Sequence, residues 1–208
     1  MTRLLILMKS GIKIKPSVQF VLLFGLAAAL SYVALSLMPE AIYGRINHLN
    51  AQATGWVLNV FGVHVDISGE LILHKGFKAR VVGECSAVFI SVLPFSFFLS
   101  YPAPPVLRAA GILMGLPLLF GVNILRIVLV FMVGLTRPDL FAWVHLYIGQ
   151  IFMILVVIWL CMAWLRWAQH SGRHVWKMSV ILKIVFISLA GFIAWIWVSR
   201  PYTWMLLY

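Results

Sequence analysis

The sequence predicts an all-α polytopic membrane protein with about five transmembrane helices. Of its 208 residues, 63% are hydrophobic and only 10% are charged, and the mean hydropathy is +1.05. These values lie well outside the range of soluble domains. Nine Trp and six Tyr suit a chain that meets two membrane interfaces, where amphipathic rings settle at headgroup level. We therefore predict one integral membrane domain over 1–208.

Five segments come close to the length and composition of a spanning helix, which needs about twenty mainly apolar residues. They are Ser17 to Met38, Cys85 to Tyr101, Ala109 to Val133, His145 to Leu165, and Val180 to Val198. The second segment is the shortest, and Pro94 inside it predicts a kink. The first has basic residues before an apolar run, as a secretory signal does. Its apolar run is longer than the hydrophobic region of a typical signal peptide, and no small-residue cleavage site follows it, so we expect an uncleaved anchor.

The segment 39–84, between the first two spanning segments, predicts a helix followed by a small β-structure on the outer side. Its first half carries an apolar stripe at helical spacing, which indicates an amphipathic helix on the outer leaflet. The stripe consists of Ile42, Ile46, Leu49, Ala53, Trp56 and Val60. Its second half alternates polar and apolar residues from Val63 to Leu73, with turn signals at Ser68-Gly69 and Lys75-Gly76. That pattern predicts a β-hairpin or a three-stranded meander.

The positions of Lys and Arg predict the orientation in the bilayer. With the N-terminus in the cytoplasm, nine basic residues and no acidic residue fall inside: Arg3, Lys9, Lys13, Lys15, Arg108, Arg166, Arg173, Lys177 and Lys183. All five acidic residues then fall outside: Glu40, Asp66, Glu70, Glu84 and Asp139. The net charge of +11 does not indicate a nucleic-acid partner, because the basic residues form no single patch with interleaved aromatic residues.

Cys85 lies at the outer end of the second predicted helix, where free amides and the helix dipole favour a thiolate. The adjacent Glu84 acts the other way, because a neighbouring carboxylate favours the protonated thiol. A lone cysteine in a membrane helix is more often a small buried hydrophobe, which is our interpretation of Cys161. Two cysteines are too few for a disulfide framework. The histidines outside the site show no metal-ligand spacing, so we expect no metal and no cofactor.

Arg126 and His145 are expected at the same membrane face as Cys85. Arg126 lies about five or six residues inside the third predicted helix, where a charge costs several kcal/mol to bury. It either snorkels to the interface or lies in a polar pocket with Asn123, one turn earlier on the same face. His145 opens the fourth predicted helix, and Gly149 on the same face leaves room for another helix or a substrate. Residues that could support this site are Asn123, Ser86, Tyr147 and Gln150.

A thiol, an imidazole and a guanidinium on one surface predict acyl transfer. His145 would deprotonate Cys85, the thiolate would attack a peptide carbonyl, and Arg126 would stabilise the oxyanion. The expected intermediate is a thioester. Two alternatives are a non-enzymatic scaffold for envelope polysaccharide assembly and a small-solute transporter. Transport sites usually lie near the bilayer midplane, whereas these residues lie near the outer face.

The sequence resembles the exosortase/archaeosortase family. The match runs through Cys85-Ser86, Asn123-Ile124-Leu125-Arg126 and Trp143-Val144-His145-Leu146-Tyr147, and the resemblance extends from about Ile42 to Leu165. The short chain, the hairpin and the stretch from Pro138 to Leu146 are most similar to the compact exosortase H type. The family usually has Gly two positions after its cysteine, where this chain has Ala87.

The resemblance implies a cysteine transpeptidase or protease of the bacterial inner membrane, with a cytoplasmic N-terminus. Its catalytic residues would be Cys85, Arg126 and His145, facing the periplasm. Its partners would be secreted proteins that end in a short motif, a transmembrane helix and a basic tail. Cleavage near the motif would be followed by transfer to an envelope acceptor. The bilayer would align the substrate helix beside the enzyme, and such confinement supplies proximity.

Overall fold

The computed structural model describes residues 16–170, which form six α-helices and one small sheet. The helices are α1 (Pro16–Ser36), α2 (Glu40–Val60), α3 (Val88–Ser100), α4 (Pro105–Thr136), α5 (Pro138–Trp143) and α6 (Gly149–His170). The strands are β1 (Asp66–Ser68), β2 (Leu71–His74) and β3 (Phe77–Arg80). A 3₁₀ turn (Gly83–Cys85) precedes α3, and a π-helical turn (Val144–Ile148) joins α5 to α6.

Three stretches of helix are long and apolar enough to cross a membrane: Ser17–Ser36, Pro105–Thr136 and Pro138–Gln169. This confirms the polytopic α-helical class. The predicted span from Cys85 to Tyr101 contains the 13-residue helix α3, which is about 20 Å long and shorter than the roughly 30 Å hydrocarbon core. The fifth predicted span, Val180 to Val198, lies outside the described residues.

Prolines move two helix boundaries away from the predicted ones. The third predicted helix, Ala109 to Val133, begins at Pro105 and ends at Thr136, since Pro fits the first helical position. Arg137 precedes Pro138 and takes an extended φ of −141°, as residues before proline tend to do. The next helix therefore begins at Pro138, and the prediction that His145 opens it is wrong: His145 lies inside a continuous helical run.

The helices α1, α3, α4 and α6 share one apolar core whose densest part is an aromatic cluster. The rings of Phe20, Phe97, Tyr101 and Trp164 lie with centroids 5.4–6.0 Å apart. The indole N–H of Trp164 donates to the Leu107 carbonyl at 3.0 Å, which ties α6 to the start of α4. We call this part of the bundle the aromatic end. The buried Cys161 belongs to the same core, in keeping with its interpretation as a small hydrophobe.

The segment between α1 and α3 contains an antiparallel sheet of order β1-β2-β3, as the alternating pattern predicted. Gly69 has φ 59° in the first turn. Lys75 and Gly76 have φ 43° and 88° in the second, which is the geometry of a two-residue type I′ hairpin. Two such tight turns fix the register of all three strands.

The amphipathic helix α2 presents its apolar stripe outward and packs on the sheet and α4 through its opposite face. Leu49, Trp56 and Val60 are exposed, as expected for side chains that meet lipid. The opposite, buried face is made of small and polar residues together with Leu58. A Cβ at Gly55 would come within 2.7 Å of the Ile67 side chain, so glycine there lets α2 approach β1.

Candidate active site

Cys85 lies in a tight, internally bonded turn. Its amide donates to the Val82 carbonyl at 2.8 Å, and the Ser86 hydroxyl donates to the Gly83 carbonyl at 2.6 Å. Ala87 follows with φ 59° and ψ −4°, the left-handed conformation, and α3 begins only at Val88. The prediction that Cys85 opens an α-helix is therefore wrong, because the left-handed residue separates it from the helix. The cysteine is held by its own turn instead.

The left-handed backbone at Ala87 is a conformation that suits glycine better than alanine. In that conformation Cβ approaches the following carbonyl oxygen, at a cost of about 1–2 kcal/mol that glycine avoids. The buried methyl of Ala87 packs in the apolar core and returns part of this energy, by about 0.8 kcal/mol for a carbon of this size. The turn next to the thiol is therefore mildly strained.

The imidazole of His145 lies beside the thiol: its Nε2 is 3.4 Å from Cys85 Sγ. The ring is stacked on Phe141 with centroids 6.0 Å apart and planes 6° apart. Phe141 in turn meets Phe77 of β3 edge to face at 5.6 Å. A Cβ at Gly134 would collide with both phenyl rings. Glycine on α4 thus admits the aromatic wall that orients the imidazole.

The π-helical turn supplies the position of His145. Such turns widen a helix locally and re-aim its side chains, and they occur often at functional sites. Gly149 begins α6 directly after the turn. A Cβ there would rest 3.5 Å from Arg126 Cδ, which is an ordinary van der Waals contact, so the stem of Arg126 already occupies the space beside this glycine.

Arg126 does not snorkel. It is only 6% exposed, and it lies ten residues before the end of α4 at Thr136, which corresponds to about 15 Å. Its Nη2 donates to the Cys85 carbonyl at 3.1 Å, and its guanidinium also interacts with the Cys85 side chain. The Nε–H is buried and has no hydrogen-bond partner among the described residues. One buried cation therefore reaches both the backbone and the thiol of the cysteine.

Asn123 holds the same carbonyl from one helical turn away. Its Nδ2 donates to the Cys85 carbonyl at 2.6 Å and to Oδ1 of Asn50 at 3.4 Å. Asn50 is fully buried on α2, and its own Nδ2 donates to the Ile46 carbonyl at 2.8 Å. We call the Cys85 carbonyl with Asn123, Arg126 and Asn50 the carbonyl clamp.

Asn50 was not predicted as part of the site. Its signal was available: Asn47, Asn50 and Thr54 recur at helical spacing on the side of α2 opposite the apolar stripe. A polar stripe on an amphipathic helix is normally taken as solvated, whereas here all three residues are buried. Asn47 donates to Glu70 at 3.1 Å, so the polar face of α2 bonds to the turn between β1 and β2 as well as to α4.

The other supporting residues have smaller parts in the geometry. Ser86 is buried and closes the cysteine turn. Tyr147 is 46% exposed and packs on the ring of Trp143. Gln150 is half-buried on α6 and does not line the pocket at Cys85. Within 16–170, no three His, Cys, Asp or Glu residues are grouped as metal ligands.

Cys85, His145 and Arg126 line one small pocket, whose enclosed space is about 30 Å³. The rest of its wall comes from β2, from β3 and the residue after it, from α4 and from Phe141 of α5. These lining residues are Ile72, Ala79, Arg80, Val81, Ile127, Val130, Phe131 and Phe141. Most of the wall is apolar and a few polar side chains line it, as is usual for ligand sites.

Replacing Ala87 with Gly tests the strain in the cysteine turn. Relief of the left-handed conformation offsets the lost methyl, so Ala87→Gly is expected to leave the free energy of unfolding unchanged within about 0.5 kcal/mol or to raise it. Ala109→Gly, in the first turns of α4, is the matched control and should lower it by about 1 kcal/mol. Thermal unfolding in detergent measures both. Equal losses in the two variants would contradict a strained Ala87.

Asn50→Ala tests the carbonyl clamp from outside α4. The change leaves a buried Asn123 donor without its acceptor, which costs about 1–3 kcal/mol. Gln52→Ala, an exposed position on the same helix, should cost under about 0.5 kcal/mol. The difference in apparent melting temperature between the two variants measures the effect. Identical melting temperatures would show that Asn50 contributes nothing to the clamp.

No curated protein and no solved structure matches the chain. The family model of the transmembrane exosortases matches residues 4–162, which is more than half of the 208 residues and includes Cys85, Arg126 and His145. The compact exosortase H type is consistent with this match. The chain belongs to the transmembrane exosortase family.

Proposed function

We propose that the protein is a membrane-embedded cysteine transpeptidase or protease that cleaves the C-terminal sorting signals of secreted proteins. The observation that carries this proposal is the 3.4 Å contact between Cys85 Sγ and His145 Nε2. A thiol within reach of an imidazole is the arrangement of an activated nucleophile. Both groups open into a pocket that also contains a guanidinium.

In the acylation step, His145 Nε2 takes the proton of the Cys85 thiol and the thiolate attacks the carbonyl carbon of the scissile peptide bond. The carbonyl π electrons move to oxygen and form a tetrahedral intermediate. When the intermediate collapses, the C–N bond breaks and His145 returns the proton to the departing amine. The product is a thioester on Cys85 and a released C-terminal fragment.

Arg126 stabilises negative charge during these steps. It interacts with the Cys85 side chain in the resting site, which favours the thiolate. Its buried Nε–H has no partner among the described residues and is a donor for the oxyanion. Charge-assisted donors in a site that excludes water stabilise such an oxyanion by several kcal/mol.

In the second step an acceptor nucleophile attacks the thioester carbonyl. His145 removes the proton of the acceptor, and the C–S bond breaks to regenerate the thiol. An amine or hydroxyl of an envelope component gives a transferred product, whereas water gives simple hydrolysis. The apolar wall of the pocket restricts water near the thioester, which favours transfer.

The substrates are secreted proteins with a short motif, a transmembrane helix and a basic tail, presented to the enzyme within the bacterial inner membrane. The charge distribution supports a periplasmic site and a cytoplasmic N-terminus. Arg108 and Arg166 lie 18 and 21 residues along their helical runs from Arg126 and His145, which is about 27 and 32 Å. The acidic residues Asp66 and Glu70 lie instead in the segment that precedes Cys85. This is the positive-inside pattern.

Cys85→Ala is the decisive substitution, and Cys161→Ala is its matched control. A reporter would carry the C-terminal region of a secreted protein from the same cell, with the motif, apolar helix and basic tail. Without the nucleophile no thioester forms, so Cys85→Ala should lower processing by about 10³-fold or more. Cys161→Ala should keep it within about threefold, because this thiol lies in the distant apolar core. Immunoblotting measures the mass shift of the reporter.

Neutral hydroxylamine adds a chemical readout, since it cleaves a thioester to a hydroxamate and should release the acylated reporter from the wild-type enzyme alone. Undiminished processing by Cys85→Ala would overturn the enzymatic proposal and favour a non-enzymatic scaffold.

A further inference from the structure

One edge of β3 is free of strand partners in the part of the chain that the structure describes. Within residues 16–170, β3 pairs with β2 alone. The Val81 amide donates to the Glu70 carbonyl at 2.9 Å, which continues the register of Arg80 with Leu71. Bonded and non-bonded pairs alternate along an antiparallel ladder. The backbone N–H and C=O groups of Lys78 and Arg80 therefore point away from β2.

These four groups have no hydrogen-bond partner among the residues that the structure describes. A short edge strand that carries charged side chains is also a common protection against aggregation. The position of this edge relative to the pocket gives it a second use.

The pocket at Cys85 is bordered by the end of β3. Ile72 pairs with Ala79, and Val81 lies two residues further along the chain, so these three residues share one face of the sheet. All three line the pocket. Arg80 also lines it, although its side chain belongs to the opposite face, where it is exposed and paired with Glu70 at 3.0 Å. The end of β3 at Arg80, with its outward backbone groups, therefore borders the pocket.

We propose that the cleaved polypeptide binds in extended form as a fourth strand on β3. This inference rests on the proposed function and names how its substrate is held. The substrate backbone pairs with Lys78 and Arg80. From there the peptide continues through the same pocket to Cys85 Sγ. Strand addition to an exposed edge is a recurring mode of peptide recognition, in which main-chain bonds provide affinity and side-chain pockets provide specificity.

Two helices contribute apolar side chains to the pocket wall. They are Ile127, Val130 and Phe131 of α4 and Phe141 of α5, and the rings of Phe131 and Phe141 also pack on Phe77 of β3. Alternate side chains of a strand on β3 would face this wall, while those between them face outward. The register set by β3 then decides which peptide bond reaches the thiol.

Arg80→Pro tests this proposal. Proline removes the outward N–H of Arg80 and leaves the ladder bonds to β2 intact, because that N–H does not bond β2. Processing of the reporter is expected to fall about tenfold, mainly through a higher KM, because one main-chain bond to the substrate is lost. Arg80→Ala removes the side chain and its pairing with Glu70 but keeps the amide, and should lower processing by less than about threefold. Equal effects of the two substitutions would overturn the proposal.

The rate of iodoacetamide labelling of Cys85, compared between the Arg80→Pro variant and the wild-type protein, reports whether the site around Cys85 still folds in the variant. If it does not, a second experiment decides: synthetic peptides that span the cleavage site of the reporter, each with one N-methylated amide, are tested as inhibitors. Strand pairing predicts that N-methylation weakens inhibition at every second position. Weakening without a two-residue period would overturn the proposal.

Two further outcomes separate the possible explanations. Disulfide crosslinking of Lys78→Cys between two enzyme copies, unaffected by substrate, would assign the edge to a dimer and overturn the proposal. Processing that survives Cys85→Ala would instead remove the proposed function itself. If processing depends on Cys85 while Arg80→Pro behaves like Arg80→Ala, the strand-addition proposal is overturned and the proposed function is not.

Discussion

The backbone carbonyl of Cys85 accepts hydrogen bonds from Asn123 and Arg126, and the rest of the site depends on this constraint. Both donors belong to α4, so one rigid helix fixes the nucleophile-bearing turn. An unpaired guanidinium at this depth would be strongly unfavourable, and an unpaired buried carbonyl costs about 1–3 kcal/mol. The hydrogen bond between the two groups therefore offsets the cost of burying each of them. Asn50 extends the same network to α2, which couples the helix on the lipid-facing side to the cysteine.

The partner of the thiol is positioned by separate means. His145 is oriented by aromatic packing through Phe141 to Phe77 of the sheet, and by a π-helical turn in the wall of the bundle. The proposed nucleophile is thus fixed by polar bonds and the proposed base by apolar contacts. Both sets of contacts meet at α4, where Gly134 admits the phenyl rings and Arg126 reaches the carbonyl. Functional side chains stay within hydrogen-bond distance of each other only when rigid elements support them in this way.

Hydrophobic run lengths and turn residues were sufficient to predict the helices, the three-stranded sheet and the face shared by Cys85, Arg126 and His145. They were insufficient for what backbone conformation decides. A left-handed Ala87 has no signal in composition, and it moves the start of α3 beyond the cysteine. Pro138 was visible, but proline both ends and begins helices, so the start of the next helix was misplaced at His145. Asn50 was missed because a polar stripe looks solvated until its neighbours are known.

The most direct test of this account is the pH dependence of Cys85 alkylation by iodoacetamide, measured in a Cys161→Ala background with and without His145→Ala. If the imidazole activates the thiol, the protein with His145 reacts about tenfold faster near pH 7, because only the thiolate is nucleophilic. The two rates then converge near pH 10, where the thiol ionises without help. Rates that coincide across the whole pH range would show that His145 does not act on Cys85, and the proposed catalytic arrangement would be contradicted.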